Sequence, residues 1–155
     1  TLTDMNLVGS GSVDALYSSH NIEHIFPHEV PTALLEFNRV LKEDGFVVIT
    51  CPDLISVCQA VASDKLMEPI YTSPAGPISP IDVLYGHRGF IELGKSYMAH
   101  KTGFTYSSLL KAFQEAGFKS FFGGSRPKKF ELWLIAFKKT KSEEDSKKVA
   151  EEFLP

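Results

Sequence analysis

The chain has 155 residues, 43% hydrophobic and 12% aromatic, which suits one packed domain. Charged residues make up 23% with a net charge of −3, so there is no electrostatic case for nucleic acid or an anionic membrane as partner. No apolar run approaches the ~20 residues of a membrane helix, no signal-peptide pattern opens the chain, and the only two cysteines, Cys51 and Cys58, argue against a disulfide framework and for the cytoplasm.

The chain opens at Thr1 rather than Met, as a piece of a longer product would. Residues 1–11 are short, polar and glycine-containing, an extended lead-in and loop. Residues 13–18 form a β-prone run that ends in small polar side chains, followed by His20-Asn21-Ile22-Glu23-His24. Pro27 or Glu29 then starts a helix whose Val30, Leu34, Phe37 and Leu41 share one face. Pro31 is tolerated only in a first turn, so that helix begins near His28. Residues 42–45 read as a turn closed by Gly45, and the continuously apolar run 46–50 reads as an interior parallel strand. Strand, loop, helix, turn and strand make one βαβ unit, and ligands of such units sit beyond the carboxyl ends of the strands. Here those ends carry Ser18, Ser19 and His20, then Cys51, Pro52 and Asp53.

Asp53 is placed to cap a second helix bearing Leu54, Val57, Cys58 and Val61. Residues 64–104, rich in proline and glycine, read as a loop-rich insertion with one short helix at Pro80–Tyr85, long enough to serve as a lid or binding element. Thr105 begins a third helix, with Gly117 just past its end. Residues 119–123 and 131–138 read as a hairpin, and Ser142 caps a charged terminal helix over 143–153, peripheral to the rest.

Within the insertion, His87, Arg88 and His100 are candidate contacts to an anionic or hydroxylated small-molecule substrate, since a guanidinium suits carboxylate and phosphate; solvated loop residues are the alternative. Cys51 reads as a small buried side chain rather than a nucleophile. His20-Asn21-Ile22-Glu23-His24 also fits the His-x-x-Glu-His pattern of one class of zinc peptidases. On a helix its two histidines would face one way and could ligate a metal. Pro27 cuts such a helix short, and Glu92 is only one acid among many as a third ligand.

Ser12-Val13-Asp14-Ala15-Leu16-Tyr17-Ser18-Ser19-His20-Asn21-Ile22-Glu23-His24, followed by Asn38-Arg39-Val40-Leu41-Lys42-Glu43-Asp44-Gly45 and the strand to Pro52, resembles the class I S-adenosylmethionine-dependent methyltransferases. The resemblance covers residues 4–52 well and residues 103–138 more loosely. It implies an α/β fold: a partial Rossmann-like sheet of strands equivalent to 4, 5, 7 and 6, with the last strand inserted antiparallel between the fifth and sixth. That domain would occupy residues 1–141, with the peripheral helix at 142–155. The resemblance implies S-adenosylmethionine as cofactor, with Asp4 accepting from the adenine amino group and Met5 packing on the ring (a solvent-exposed Asp in a turn is the alternative), and Ser19 and Asn21 near its methionine part. It makes His20 a substrate contact or general base, with a hydrogen-bonded loop histidine as the alternative, and leaves Glu23 and His24 to fix the loop-to-helix junction.

The family's glycine-rich loop and the acidic residue that grips the ribose are absent. So is the strand that would pair with residues 13–18 on their far side. An open apolar edge implies cover from a second copy (a homodimer), another chain, or an N-terminal segment. Two functions follow: methyl transfer to a small-molecule or precursor acceptor, or a truncated, non-catalytic module that dimerises or regulates.

Overall fold

The computed structural model describes residues 1–153, so the last two positions of the terminal segment lie outside the described residues. The first strand, β1 (Val13–Ser19), is followed by single 3-10 turns at Ile22–His24 and Pro27–Glu29. The Glu29 carboxylate accepts from the Phe26 N–H at 2.7 Å, and α1 (Val30–Val40) starts with Pro31 in its first turn. Its buried stripe of Val30, Ala33, Leu34, Phe37 and Val40 keeps three residues of the expected face, while Leu41, expected as the fourth, opens the next strand instead.

The chain passes from α1 directly into β2 (Leu41–Pro52). Residues 42–45, expected as a turn between helix and strand, are instead an irregularity within β2. Val13 pairs with Leu41 but Ala15 pairs with Phe46, so the extra residues bulge out of the ladder. Gly45 permits this, because a Cβ there would lie 2.9 Å from the Asp14 carbonyl oxygen. Asp53 caps α2 (Leu54–Ala62), accepting from the Ile55 N–H at 3.0 Å and from the Ser56 hydroxyl at 2.7 Å.

The insertion is more ordered than its composition implies. The short helix α3 (Pro80–Tyr85) stands where expected, preceded by a small antiparallel hairpin, β3 (Tyr71–Ser73) and β4 (Gly76–Ile78), and followed by α4 (Arg88–Glu92) and a 3-10 turn at Ser96–Met98. Ile78 and Val83 close with Val57 of α2 into a small core of their own. Gly86 has φ +96, and a Cβ on it would overlap the Met98 carbonyl, so a side chain there would force the insertion open.

Thr105 caps α5 (Tyr106–Glu115), and Gly117, at φ +94, turns the chain so that the Phe118 N–H reaches the Phe113 carbonyl. The chain closes with β5 (Ser120–Arg126), a 3-10 turn at Pro127–Lys129, β6 (Glu131–Phe137) and α6 (Glu143–Phe153). The main sheet runs β1-β2-β6-β5, with β1 parallel to β2 and β6 antiparallel to both its neighbours. That is the 4-5-7-6 order expected of a partial Rossmann-like methyltransferase sheet.

Pleating divides the central strands between two cores. Val47, Ile49, Cys51, Leu132, Leu134 and Ala136 pack with Leu34 and Phe37 of α1 and Leu109 and Phe113 of α5. Val48, Trp133, Ile135 and Phe137 point the other way, onto Ala150 of α6, while Phe153 meets Phe46 at 5.3 Å between ring centroids. Among the described residues β1 has a strand neighbour on one side only, and Tyr17 in its middle is 65% exposed. No helix among the described residues is long and apolar enough to cross a membrane.

Because the Phe37 ring is wholly buried between α1, the sheet and α5, Phe37→Ala should lower the unfolding free energy by about 3–5 kcal/mol. Leu35→Ala, on the exposed face of the same helix, should change it by less than about 0.5 kcal/mol. Urea denaturation of both variants measures the contrast.

Candidate functional site

The register of the sheet collects four chain segments at one end. Ser19 stands opposite Thr50 across the β1–β2 ladder. Pro52 stands opposite Glu131, and Glu131 opposite Arg126. The carboxyl ends of β1, β2 and β5 therefore meet the amino end of the antiparallel β6. The insertion folds over this end and encloses a cleft of about 700 Å³, with Tyr71, Phe90, Phe130 and Trp133 among its walls.

His20 is the first residue past β1. Its N–H still bonds the Thr50 carbonyl at 3.0 Å, and its φ of +50 swings the chain sharply off the strand. The ring then lies between two carboxylates, with Nδ1 3.2 Å from Glu23 Oε1 and Nε2 3.2 Å from Glu131 Oε1. The hydrogen bond to Glu131, then that to Glu23, outweigh partial burial and raise the His20 pKa to about 9, so the half-exposed ring is a cation at neutral pH. Burial opposes ionisation of Glu131, but hydrogen bonds from His20 and from the Trp133 indole N–H hold its pKa below the ordinary carboxylate value. The Arg126 guanidinium lies 3.7 Å from Glu131 and 4.3 Å above the Trp133 ring.

Glu23 does more than fix a junction. Its side chain is only 1% exposed; one oxygen meets His20 and the other has no hydrogen-bond partner. Its backbone carbonyl accepts from the N–H groups of Lys101 at 2.7 Å and Thr102 at 3.2 Å, tying the end of the insertion to the 3-10 turn after β1. The zinc-peptidase pattern is not formed. Residues 22–24 make a single 3-10 turn rather than a helix, and His20 faces Glu131 instead of sharing a ligand cluster with Glu23 and His24.

His20, His87 and His100 all line the cleft. His100 donates from Nδ1 to the Val83 carbonyl at 2.7 Å, and burial holds its pKa below the ordinary histidine value. His87 Nδ1 accepts from the Phe90 N–H at 3.3 Å, capping α4. Arg88 stands apart from the lining and grips the buried Asp82 with two bonds, Nε to Oδ1 at 2.7 Å and Nη2 to Oδ2 at 3.1 Å. Cys51 is a buried thiol whose pKa burial pushes well up, as expected of a small core side chain.

The residues expected on the cofactor side do not line the cleft. The Ser19 hydroxyl lies 2.9 Å from that of Thr50, and Asn21 is exposed. Asp4 accepts from the Asn6 N–H at 3.0 Å, while Met5 is clamped at both ends of its backbone. Its N–H donates to Glu36 at 2.8 Å, and its carbonyl accepts from Arg39 at 3.0 Å. Arg39 in turn bonds both oxygens of Glu36 and the Val8 carbonyl, so this pair holds the lead-in against α1.

Sequence reasoning missed Glu131, Trp133 and Arg126. The available signal was the antiparallel insertion itself: a strand that enters between two others backwards presents its first residues to the ligand end.

Residues 1–49 match the family described as "Methyltransferase domain". No curated protein sequence matches. The fold is similar to that of an S-adenosylmethionine-dependent methyltransferase from Thermotoga maritima, a possible histamine N-methyltransferase, at 15% identity and a TM-score of 0.52, over 90% of this chain and 61% of that one. A Methanosarcina mazei methyltransferase aligns at 13% identity and a TM-score of 0.55, over 91% and 66% of the two chains. The 1,6-didemethyltoxoflavin-N1-methyltransferase of Burkholderia thailandensis, solved with 1,6-didemethyltoxoflavin and S-adenosylhomocysteine, aligns at 15% identity and a TM-score of 0.51, over 90% and 48%. The chain thus spans between about half and two thirds of these structures, and at such identities the likeness is one of fold.

The Glu36–Arg39 clamp carries a pH signature. Hydrogen bonds from Arg39, then from the Met5 N–H, lower the Glu36 pKa from 4.5 to about 2. A lowered folded-state pKa stabilises above the unfolded value and loses that contribution as pH falls. The stability difference between the wild type and Glu36→Gln should be full above pH 4.5 and shrink toward pH 2, as read by urea denaturation across that range.

Proposed function

From a family match over residues 1–49 and a fold that both support the class I S-adenosylmethionine-dependent methyltransferases, we propose that this chain carries the acceptor side of a methyl-transfer site. The reading rests on one observation: the cleft of about 700 Å³ opens at the ligand end of β1 and β2, and His20 bonded to Glu131 forms part of its wall. S-adenosylmethionine, when bound, supplies an electrophilic methyl group on a positively charged sulfur. The protein's task is to hold an acceptor atom in line with it and keep water out.

On the cofactor side, Asp4 and Met5 serve the adenine, and Ser19 and Asn21 the methionine part. The Ser18 hydroxyl, buried at the end of β1 with no partner, is a hydrogen-bonding position left open at this rim. His20 is the catalytic residue of this reading. It carries one positive charge between the two carboxylates of Glu23 and Glu131, and Arg126 on the far side of Glu131 balances the second carboxylate. At neutral pH it presents a proton rather than taking one. His87 and His100 contact the acceptor, and Arg88, outside the lining, acts through its pairing with Asp82, which is part of it. The aromatic walls favour a small acceptor with an apolar part. The open side of β1 is covered by a further segment or a second copy, which supplies the other rim of the cofactor site.

The open edge of β1 and the absence of a glycine-rich strand-loop-helix favour a second reading, a non-catalytic module that dimerises or regulates. Calorimetric titration with S-adenosylmethionine separates the two. The methyl-transfer reading expects saturable one-to-one binding, weak because one rim is present, with a Kd on the order of 0.1–1 mM. That binding should disappear when Ser19→Ala and Asn21→Ala are combined. Heat of dilution alone, from a chain that sediments as a stable dimer, would leave the module.

A further inference from the structure

Three side chains meet on one wall of the cleft in a way that methyl transfer does not require. One ligand atom each from Glu23, His24 and His100 lies within 4.8 Å of the other two. Two come from the 3-10 turn after β1 and the third from the end of the insertion. The bonds from the Lys101 and Thr102 N–H groups to the Glu23 carbonyl fix the two segments against each other. The meeting point is therefore held by backbone.

Each group is prepared for a cation. The Glu23 side chain is 1% exposed; its Oε1 takes the His20 contact, and Oε2 is buried without any hydrogen-bond partner. A carboxylate oxygen removed from water and given no donor is an unmet demand for positive charge. His24 Nδ1 lies 3.2 Å from the Ala99 carbonyl, and His100 Nδ1 lies 2.7 Å from the Val83 carbonyl. A carbonyl only accepts, so each ring carries a proton on Nδ1, and in its neutral form the lone pair is on Nε2. Backbone carbonyls orient metal-binding histidines in the same way. The two rings stand edge to face, 4.8 Å between centroids and 75° between planes.

We propose that Glu23, His24 and His100 form a divalent transition-metal site, suited to zinc, with its remaining coordination position open to the cleft. Two imidazoles and one carboxylate are a donor set that zinc accepts, with water or substrate as the fourth ligand. Zinc bonds of ~2.0–2.1 Å space tetrahedral ligands ~3.4 Å apart, so the three groups close onto the ion by side-chain rotations of about an ångström. All three residues line the cleft, so a hydroxyl, thiol or amine entering it reaches the open position and becomes more acidic there. The pairing is His24 with His100, which the spacing of His20-x-x-Glu23-His24 does not reveal. The inference stands whether or not the chain transfers methyl groups.

The test uses the untagged chain, stripped with a chelator and then titrated with zinc by calorimetry and with cobalt(II) by visible absorption. One ion per chain should bind with a Kd of roughly 1 µM or tighter, raise the melting temperature, and give cobalt d–d bands of a low-coordinate site. Glu23→Gln, which keeps the side-chain shape, and His24→Ala and His100→Ala should each weaken binding by at least about 100-fold. His28→Ala, at an exposed histidine stacked on Phe26, should leave it unchanged. No stoichiometric binding by the folded wild type, or binding indifferent to the three substitutions, overturns the proposal. Should an alanine variant fail to fold, Glu23→Gln and the wild-type cobalt spectrum decide.

Discussion

The antiparallel entry of β6 beside β2 is the constraint from which the site follows. A third parallel strand there would send its first residue to the far end of the sheet. Running backwards, β6 delivers Glu131 opposite Pro52, within 3.2 Å of a histidine that directly follows β1. The same reversal sets Trp133 two residues on, its indole bonded to the same carboxylate, and brings Arg126 from β5 over the ring. None of these contacts depends on a long loop. They follow from strand register, which is hard to shift when both faces of β2 and β6 are buried, since a one-residue slip would exchange the two cores.

Around that constraint lies a concentration of charge that is costly to maintain. His20 sits in left-handed backbone with a carboxylate on each side, and one of those carboxylates is wholly buried with an oxygen unmet. Backbone of this kind in a non-glycine residue and orphaned polar atoms are rare in ordinary packing, and both accumulate where ligands bind. Here they coincide on the wall of one cleft. The rest of the sheet is the reverse: continuous aliphatic and aromatic packing, with hydrogen-bonded caps at α2 and α5.

The insertion makes the sheet end into an enclosed site. Its order comes from modest sources: a hairpin, two short helices, the small core beneath α2, and Gly86, whose missing side chain lets α3 approach the turn at Ser96–Met98. Arg88 belongs to that scaffold, because its grip on Asp82 joins the first turn of α3 to the first turn of α4. His100 reaches the cleft because the residues after it are pinned to the Glu23 carbonyl.

Periodicity and turn chemistry in the chain were sufficient for the βαβ unit, the caps at Asp53 and Thr105, α3 and the terminal hairpin, whereas the strand order came from the family resemblance. The elements depend on neighbours in sequence, and the order on a family pattern carried by residues 12–24 and 38–52 and more loosely by 103–138. The position of His20 at the carboxyl end of β1 was legible for the same reason, since it directly follows the strand. The bulge at residues 42–45 was not, because it answers to the backbone of β1, which no local pattern encodes. Glu131 was not legible, because only register joins positions 20 and 131. The meeting of Glu23 and His24 with His100 was settled by the folding of the insertion, where backbone bonds between distant segments choose which side chains face each other. Side-chain type and spacing determine an element, whereas a site is built from elements whose mutual placement is fixed only when the core closes.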